Sequence, residues 1–317
     1  MDQTTPDRTS TPPLRAQKGV EFRPIVVRSL LNANRNRALP FRWTINPYRG
    51  CEFGCGYCYA RYTHSYLGHD DPEEFERRIY LKLDAVRALR ETLRPELLRG
   101  QPVAMGTATD PYQSAERHFG ISRSILEVLV DAPDLELSIT TKSPLVLRDL
   151  DLLRKLAARD ALTVNITITT LHQNLARILE RGAPTPRRRL DTIKALADAG
   201  IPTSIFVMPI LPGITDHPGD LGALLRAAKR AGASVACGNT LHLESAPRRV
   251  FFPLLARHFP DLLARYRSWY RGSNLAPAEV RASIDERFRI LRESIGLEPR
   301  ATRVRAEAEQ LCLDFAV

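Results

Sequence analysis

Six short runs of β-branched and apolar residues, each followed by a stretch with helical spacing, constrain this chain more than any other feature. The runs are FRWTIN (41–46), PVAMGT (102–107), LELSITT (135–141), LTVNITIT (162–169), PTSIFVMPI (202–210) and ASVACGN (233–239). Between them, apolar residues recur at three-and-four spacing over 72–93, 122–131, 145–158, 186–199 and 218–231. In RRRLDTIKALADAGIP, Leu190, Ile193, Leu196 and Ala197 share a helix face, and Gly200 closes it ahead of the next strand. Strict alternation of this kind predicts a parallel sheet, either a partial or complete βα barrel or a doubly wound sheet. In both, functional side chains collect at the C-terminal ends of the strands. After 239 the pattern becomes purely helical, at about 247–270 and 276–294, which predicts an extension that caps or covers the barrel.

The first twenty residues are polar and proline-rich without an apolar h-region, so they read as a disordered leader rather than a secretory signal, and a cytoplasmic location is expected. No run approaches the roughly 18–20 apolar residues that a membrane helix needs, so no membrane partner is expected. Residues 296–317 read as a loosely held tail. The chain carries 46 Lys plus Arg against 36 Asp plus Glu, a formal charge of +10. That balance favours polyanionic partners, although the arginines are spread along the chain and also fit a solvated helical surface.

Three of the five cysteines stand within eight positions in NPYRGCEFGCGYCYARYTHSYLG, directly after the first strand. Cys51, Cys55 and Cys58 are too close together to staple distant segments, and nothing suggests export, so a disulfide framework is not expected. Thiolates at such spacing hold iron–sulfur clusters or zinc. Gly50, Gly54 and Gly56 would let the backbone wrap closely around an inorganic centre. Three ligands without a fourth leave one coordination position open, as catalytic metal sites do. A zinc knuckle closed by His64 or His69 is the alternative, but the spacing from Cys58 matches no common zinc module. A four-cysteine ferredoxin would have to recruit the distant Cys237 or Cys312.

The C-x3-C-x2-C spacing with Tyr57 before the last cysteine resembles the signature of the radical S-adenosylmethionine (SAM) superfamily. More narrowly, NPYRGCEFGCGYCYAR, TATDPYQSAER, SITTKSPLVLRDLDLL, PTPRRRLDTIKALADAGIP and VMPILPGITD resemble, in order, the branch related to spore photoproduct lyase, the DNA-repair-photolyase-like proteins. The resemblance implies an α/β fold with a partial (β/α)6 TIM-like barrel over 37–245 and a helical extension over 246–295. It implies a [4Fe-4S] cluster on Cys51, Cys55 and Cys58, SAM chelating the open iron, reductive cleavage to methionine and a 5′-deoxyadenosyl radical, and an electron donor of flavodoxin or ferredoxin type.

The strand ends carry the remaining candidates, some placed by the resemblance and some by the residues themselves. Tyr57 stands where an aromatic approaches the adenine, or shields the cluster. Thr107, Thr109 and Asp110 offer acceptors for the SAM ammonium, against a plain capped turn. Thr140, Thr141 and Lys142 end the third strand, Lys142 facing the SAM carboxylate or ribose, or solvent. Asn165, Thr167 and Thr169 share one face of the fourth strand, with Thr167 the choice for the ribose. Arg189, ahead of a helix in RRRL, is a candidate for a bidentate contact with the SAM carboxylate, with Arg187 and Arg188 open to solvent or phosphate. Met208 and Pro209 resemble the platform under the adenine, against a core methionine.

Spore photoproduct lyases return a hydrogen atom from a cysteine. Cys237 is the one cysteine of the barrel outside the cluster motif and cannot be matched to that position, which puts thymine-dimer repair in doubt. The substrate is read as nucleic acid, with Arg248 and Arg249 as further phosphate contacts. A peptide or small molecule is the second reading, and a non-enzymatic, zinc-stabilised nucleic-acid-binding protein the third.

Overall fold

The computed structural model describes residues 13–299 apart from 18, 37 and 38. Cys312, residues 1–12 and nearly all of the expected tail lie outside the described residues. Among those described, eleven strands form two sheets. In chain order they are β1 (Arg15–Gln17), β2 (Val20–Pro24), β3 (Leu31–Ala33), β4 (Trp43–Ile45), β5 (Tyr48–Arg49), β6 (Arg78–Leu81), β7 (Val103–Met105), β8 (Leu137–Thr141), β9 (Leu162–Thr167), β10 (Thr203–Ile210) and β11 (Val235–Thr240).

All six strands expected from the sequence are present, as β4 and β7 through β11. They lie side by side and parallel, in the order β11-β10-β9-β8-β7-β4, with β3 antiparallel at the β4 edge. The sheet is open between β11 and β3. This is the partial (β/α)6 barrel that the resemblance implies. Alternation along each strand does the sorting. Val103, Ile139, Val164, Ile166, Ile205 and Ala236 belong to the apolar core packed under helices. The intervening Ala104, Ser138, Thr140, Thr167 and Phe206 line a cavity on the other face.

Two helix expectations need correction. The stretch 72–93 contains only a single turn, Glu74–Arg77, and the helix Ala85–Thr92, separated by β6. Ile79, Tyr80 and Leu81 are all fully buried, and a run buried on both faces suits a strand flanked by partners better than one face of a helix. β6 sits in a second, four-stranded sheet ordered β1-β2-β6-β5. Residues 15–17 of the expected leader supply its edge strand. The stretch 247–270 divides into Ser245–His258 and Pro260–Trp269, because Pro260 lacks an N–H and Phe259 before it leaves the helical region, at φ −142° and ψ 56°.

The C-terminal helices do two jobs. Phe251, Leu255, Tyr266 and Tyr270 form a second core with Phe53, Cys55 and Phe75, so the helices at 245–269 roof the cysteine loop. The helix Ala278–Ile295 seats on β11, where a Cβ on Gly238 would come within 2.8 Å of the Phe288 ring. Gly238→Val should therefore overpack this contact and cost about 1–3 kcal/mol, with Gly238→Ala milder. Urea unfolding measures it, and equal midpoints for wild type and Gly238→Val would show that the helix is not held there.

Candidate cofactor site

The cysteine loop is held by backbone pairing on three sides. Cys51 N–H donates to Phe75 O at 2.9 Å, Gly56 N–H to Leu179 O at 2.9 Å, and Gly182 N–H to Phe53 O at 2.9 Å. Cys55 and Glu180 form an antiparallel bridge. The loop glycines are needed for this packing. A Cβ on Gly50 (φ +92°) would lie 2.7 Å from Arg78 O, one on Gly54 2.8 Å from the Glu76 carboxylate, and one on Gly56 2.8 Å from Leu254.

Two buried side chains clamp the same loop. Gln113 donates from Nε2 to Gly50 O (3.1 Å) and accepts from Glu52 N–H (2.9 Å), gripping Cys51 from both flanks. The Arg61 guanidinium donates to Cys55 O (2.9 Å), Pro72 O (2.7 Å) and Glu76 Oε2 (2.7 Å).

Above the sheet lies a cavity of about 220 Å³. Cys51, Cys55, Tyr57 and Cys58 form one wall of it. Thr107, Thr109, Asp110, Thr140, Thr141, Lys142, Thr167, Met208 and Pro209 come to it from the ends of four strands. The structure thus brings together every expected site residue of this region except Arg189. That guanidinium is 1% exposed and committed elsewhere: Nη2 pairs with Glu180 Oε2 at 2.5 Å, Nη1 donates to Thr167 O at 3.0 Å, and Nε to Pro184 O at 2.8 Å. It stands behind the wall, which corrects the expected direct contact with SAM.

Several lining residues also brace the wall. Asp110 Oδ1 accepts from Thr141 Oγ1 (2.6 Å) and Tyr112 N–H (2.9 Å), and Oδ2 from Lys142 N–H (2.8 Å), which is the capped turn. Thr109 donates to Gly50 O at 2.5 Å. Tyr59 donates its hydroxyl to Thr107 O. Cys237 is in register with Phe206 on β10 but does not line the cavity.

Glu180 is the group that the sequence reading missed. Its carboxylate is fully buried and accepts from the Tyr57 hydroxyl, from Arg189 and from Thr169 Oγ1 (3.3 Å), with Lys142 Nζ 3.9 Å away. Lys142 Nζ in turn lies 6.0 Å from the centre of the Tyr57 ring. Burial opposes charge on Glu180, yet Arg189 and Lys142 keep its carboxyl below the ordinary range. Burial likewise works against Lys142, and Cys55 and Glu180 more than offset it. A signal did exist for Arg189: with Ile193 and Leu196 it makes the i, i+4, i+7 stripe of a buried helix face, but three adjacent arginines concealed which one turns inward. Glu180, in LERGAP at a helix end, carries no periodicity to mark it.

The donor set fits a cationic centre. Burial pushes the Cys55 thiol up to about 12, Lys142 opposing. Cys51 is raised well above its usual value by burial and then by Asp110, and Cys58 by burial against Arg61. Such thiols become thiolates only when a metal displaces the proton. Among the described residues no three His, Cys, Asp or Glu side chains converge as ligands of one ion. His64 instead bonds through Nε2 to Arg78 O (2.9 Å), and His69 through Nε2 to the Tyr80 hydroxyl (2.6 Å). Three cysteines that line one cavity suit an iron–sulfur centre, in which each cysteine binds a separate iron.

Replacing Gln113 with Ala should leave Glu52 N–H without its acceptor and open a small void. The expected loss is about 1–3 kcal/mol, with slower reconstitution of iron. Denaturant midpoints and iron uptake of the two proteins test it, and identical values in both assays would remove Gln113 from the loop's support.

Residues 45–225 match the family model described as the radical SAM superfamily. An uncharacterized protein of Mycobacterium tuberculosis is 38% identical over 270 residues, covering 85% of this chain and 79% of its own. An uncharacterized protein of Methanocaldococcus jannaschii is 32% identical over 179 residues, 55% of this chain and 62% of its own. Among solved structures, spore photoproduct lyase complexed with dinucleoside spore photoproduct superposes with a TM-score of 0.65 at 16% identity, covering 88% of this chain and 82% of that one. A spore photoproduct lyase mutant with bound AdoMet and dinucleoside spore photoproduct gives 0.63 at 16%, with the same coverage. These two likenesses are of fold. Radical SAM proteins are enzymes that use a [4Fe-4S] cluster and SAM, and by the family match over the cavity-bearing strands and the length of the mycobacterial similarity, this chain belongs to the radical SAM superfamily.

Proposed function

We propose that Cys51, Cys55 and Cys58 hold a [4Fe-4S] cluster in this cavity, that SAM binds beside it on the strand ends, and that the enzyme cleaves SAM reductively. The observation that carries the reading is that one cavity has three thiols on one wall and the ends of β7 through β10 on the other. The chemistry such a cluster would supply when held by these cysteines is one electron for reductive cleavage of SAM to methionine and a 5′-deoxyadenosyl radical.

The chain's own part is to bind, orient and exclude water. Lys142 offers an ammonium to the SAM carboxylate, and the hydroxyls of Thr140 and Thr167 serve the ribose. Tyr57 and Met208 flank the place for the adenine. Asp110 and Thr109 keep the wall rigid, while the carbonyls and hydroxyls around Thr107 suit the ammonium. Phe41, Phe53, Phe75 and Phe206 add apolar surface to the lining, which supports exclusion of water from a reactive radical.

Anaerobic reconstitution tests this reading. Wild type should bind iron and sulfide, absorb as an iron–sulfur protein, and release 5′-deoxyadenosine and methionine from SAM under dithionite. Cys55→Ala should lose both the chromophore and the cleavage; full cluster content in that variant would remove the assignment. The reductant in the cell is expected to be a flavodoxin or ferredoxin.

For the substrate we favour nucleic acid. The charge of +10 supports it, as does the fold likeness to a lyase solved with a dinucleoside photoproduct. Arg187 and Arg188 are exposed at the start of the helix Pro186–Asp198 and, among the described residues, make no ion pair. Arg248 and Arg249 fit the role less well. Arg248 donates to Leu243 O (2.9 Å) and Ser273 O (2.7 Å), and Arg249 to Asp70 O (2.6 Å). With about three to five phosphates neutralised, log affinity for duplex DNA should fall against log salt with a slope of roughly −3 to −5, and changing Arg187 and Arg188 to Ala should reduce the slope by about 2. Absence of DNA and RNA binding at low salt, or a slope indifferent to these changes, would turn the reading to a peptide or small molecule.

A further inference from the structure

The buried carboxylate of Glu180 faces three elements at once. By its backbone it bridges Cys55, and by its side chain it accepts from the hydroxyl of Tyr57. The same carboxylate faces Lys142 at the end of β8 (3.9 Å) and Arg189, which itself ties to Thr167 O on β9. Glu180 and Arg189 are both all but fully buried, and Lys142 keeps only a small exposed fraction. One buried carboxylate is thus faced by two cations, Arg189 behind the wall and Lys142 at the cavity itself.

We propose that Glu180 is a positioning residue that also sets the reduction potential of the centre: it holds the Lys142 ammonium in the cavity that Cys55 lines and tempers the positive charge felt there. The inference rests on the cluster assignment above. One-electron reduction, with dithionite as the source in the test, adds one negative charge at the cysteine wall, and net protein charge close to a cluster shifts the balance between its oxidised and reduced forms. Removing the negative charge of Glu180 therefore favours the reduced form. Removing the positive charge of Lys142 disfavours it. The two changes oppose each other in sign, which a role confined to packing does not require.

The experiment is a redox titration of reconstituted protein, read by the electron paramagnetic resonance signal of the reduced cluster, beside iron and sulfide content. Glu180→Gln should keep the wild-type iron content and move the midpoint potential upward. Lys142→Met should move it downward, and the double variant should return close to wild type. Equal potentials in wild type and Glu180→Gln, or shifts of the same sign in both single variants, would overturn the inference. Should Glu180→Gln not load iron, Glu180→Asp, which retains the charge, must restore both iron and the wild-type potential, and its failure would equally overturn it. A wild-type protein that forms no cluster would instead strike at the cluster assignment, so the two failures are distinguishable.

Discussion

The ion pair between Arg189 and Glu180, 2.5 Å across and sealed from water, is the contact through which the cysteine loop and the barrel know each other's position. A pair buried this deeply contributes little net stability, because desolvation offsets most of the attraction. Its effect is geometric. Arg189 comes from the helix Pro186–Asp198, reaches Thr167 O on β9, and hands Glu180 a fixed place from which it takes Tyr57 and faces Lys142. Breaking either partner would strand a charge in the interior, so the arrangement has few alternatives.

Around that point the structure divides its labour by face. The outward residues of the parallel strands are apolar and vanish under helices. The inward residues are small, polar or aromatic and leave room. A complete barrel would fill its interior with layered side chains. Here the sheet stays open between β11 and β3, and the cavity lies between the inner face and the cysteine loop. The helices at 245–269 then close the far side of that loop with Phe251, Leu255, Tyr266 and Tyr270. The extension is therefore part of the site's enclosure, and its packing against Cys55 and Phe53 is one reason the thiols are buried.

Much of this was legible beforehand because it rests on local pattern. Alternation marked all six strands, and the strand-end rule brought Thr107, Thr140, Lys142, Thr167 and Met208 to one place although they lie up to about a hundred residues apart in the chain. Local pattern failed where a segment's partners were remote. β6 was hidden inside a helical spacing that Ala85, Ala88 and Leu89 genuinely possess, and only pairing with β2 and β5 makes Arg78–Leu81 a strand. The contacts that require the loop glycines also come from remote segments, Arg78 O, Glu76 and Leu254.

The sequence by itself determined the class of fold, the three thiols and the polar strand ends, since hydrophobic period and ligand spacing are written along the chain. Tertiary structure decided which charges serve the wall and which face solvent. Of three consecutive arginines, one is buried against Glu180 and two are exposed. Asp110 became a brace because Thr141 Oγ1 and Lys142 N–H reach its oxygens. Glu180 acquired its role only when a helix end folded back on the cysteine loop. The physical reason is that a charge's function depends on its partners and on the loss of water around it, and both are set by segments distant in sequence.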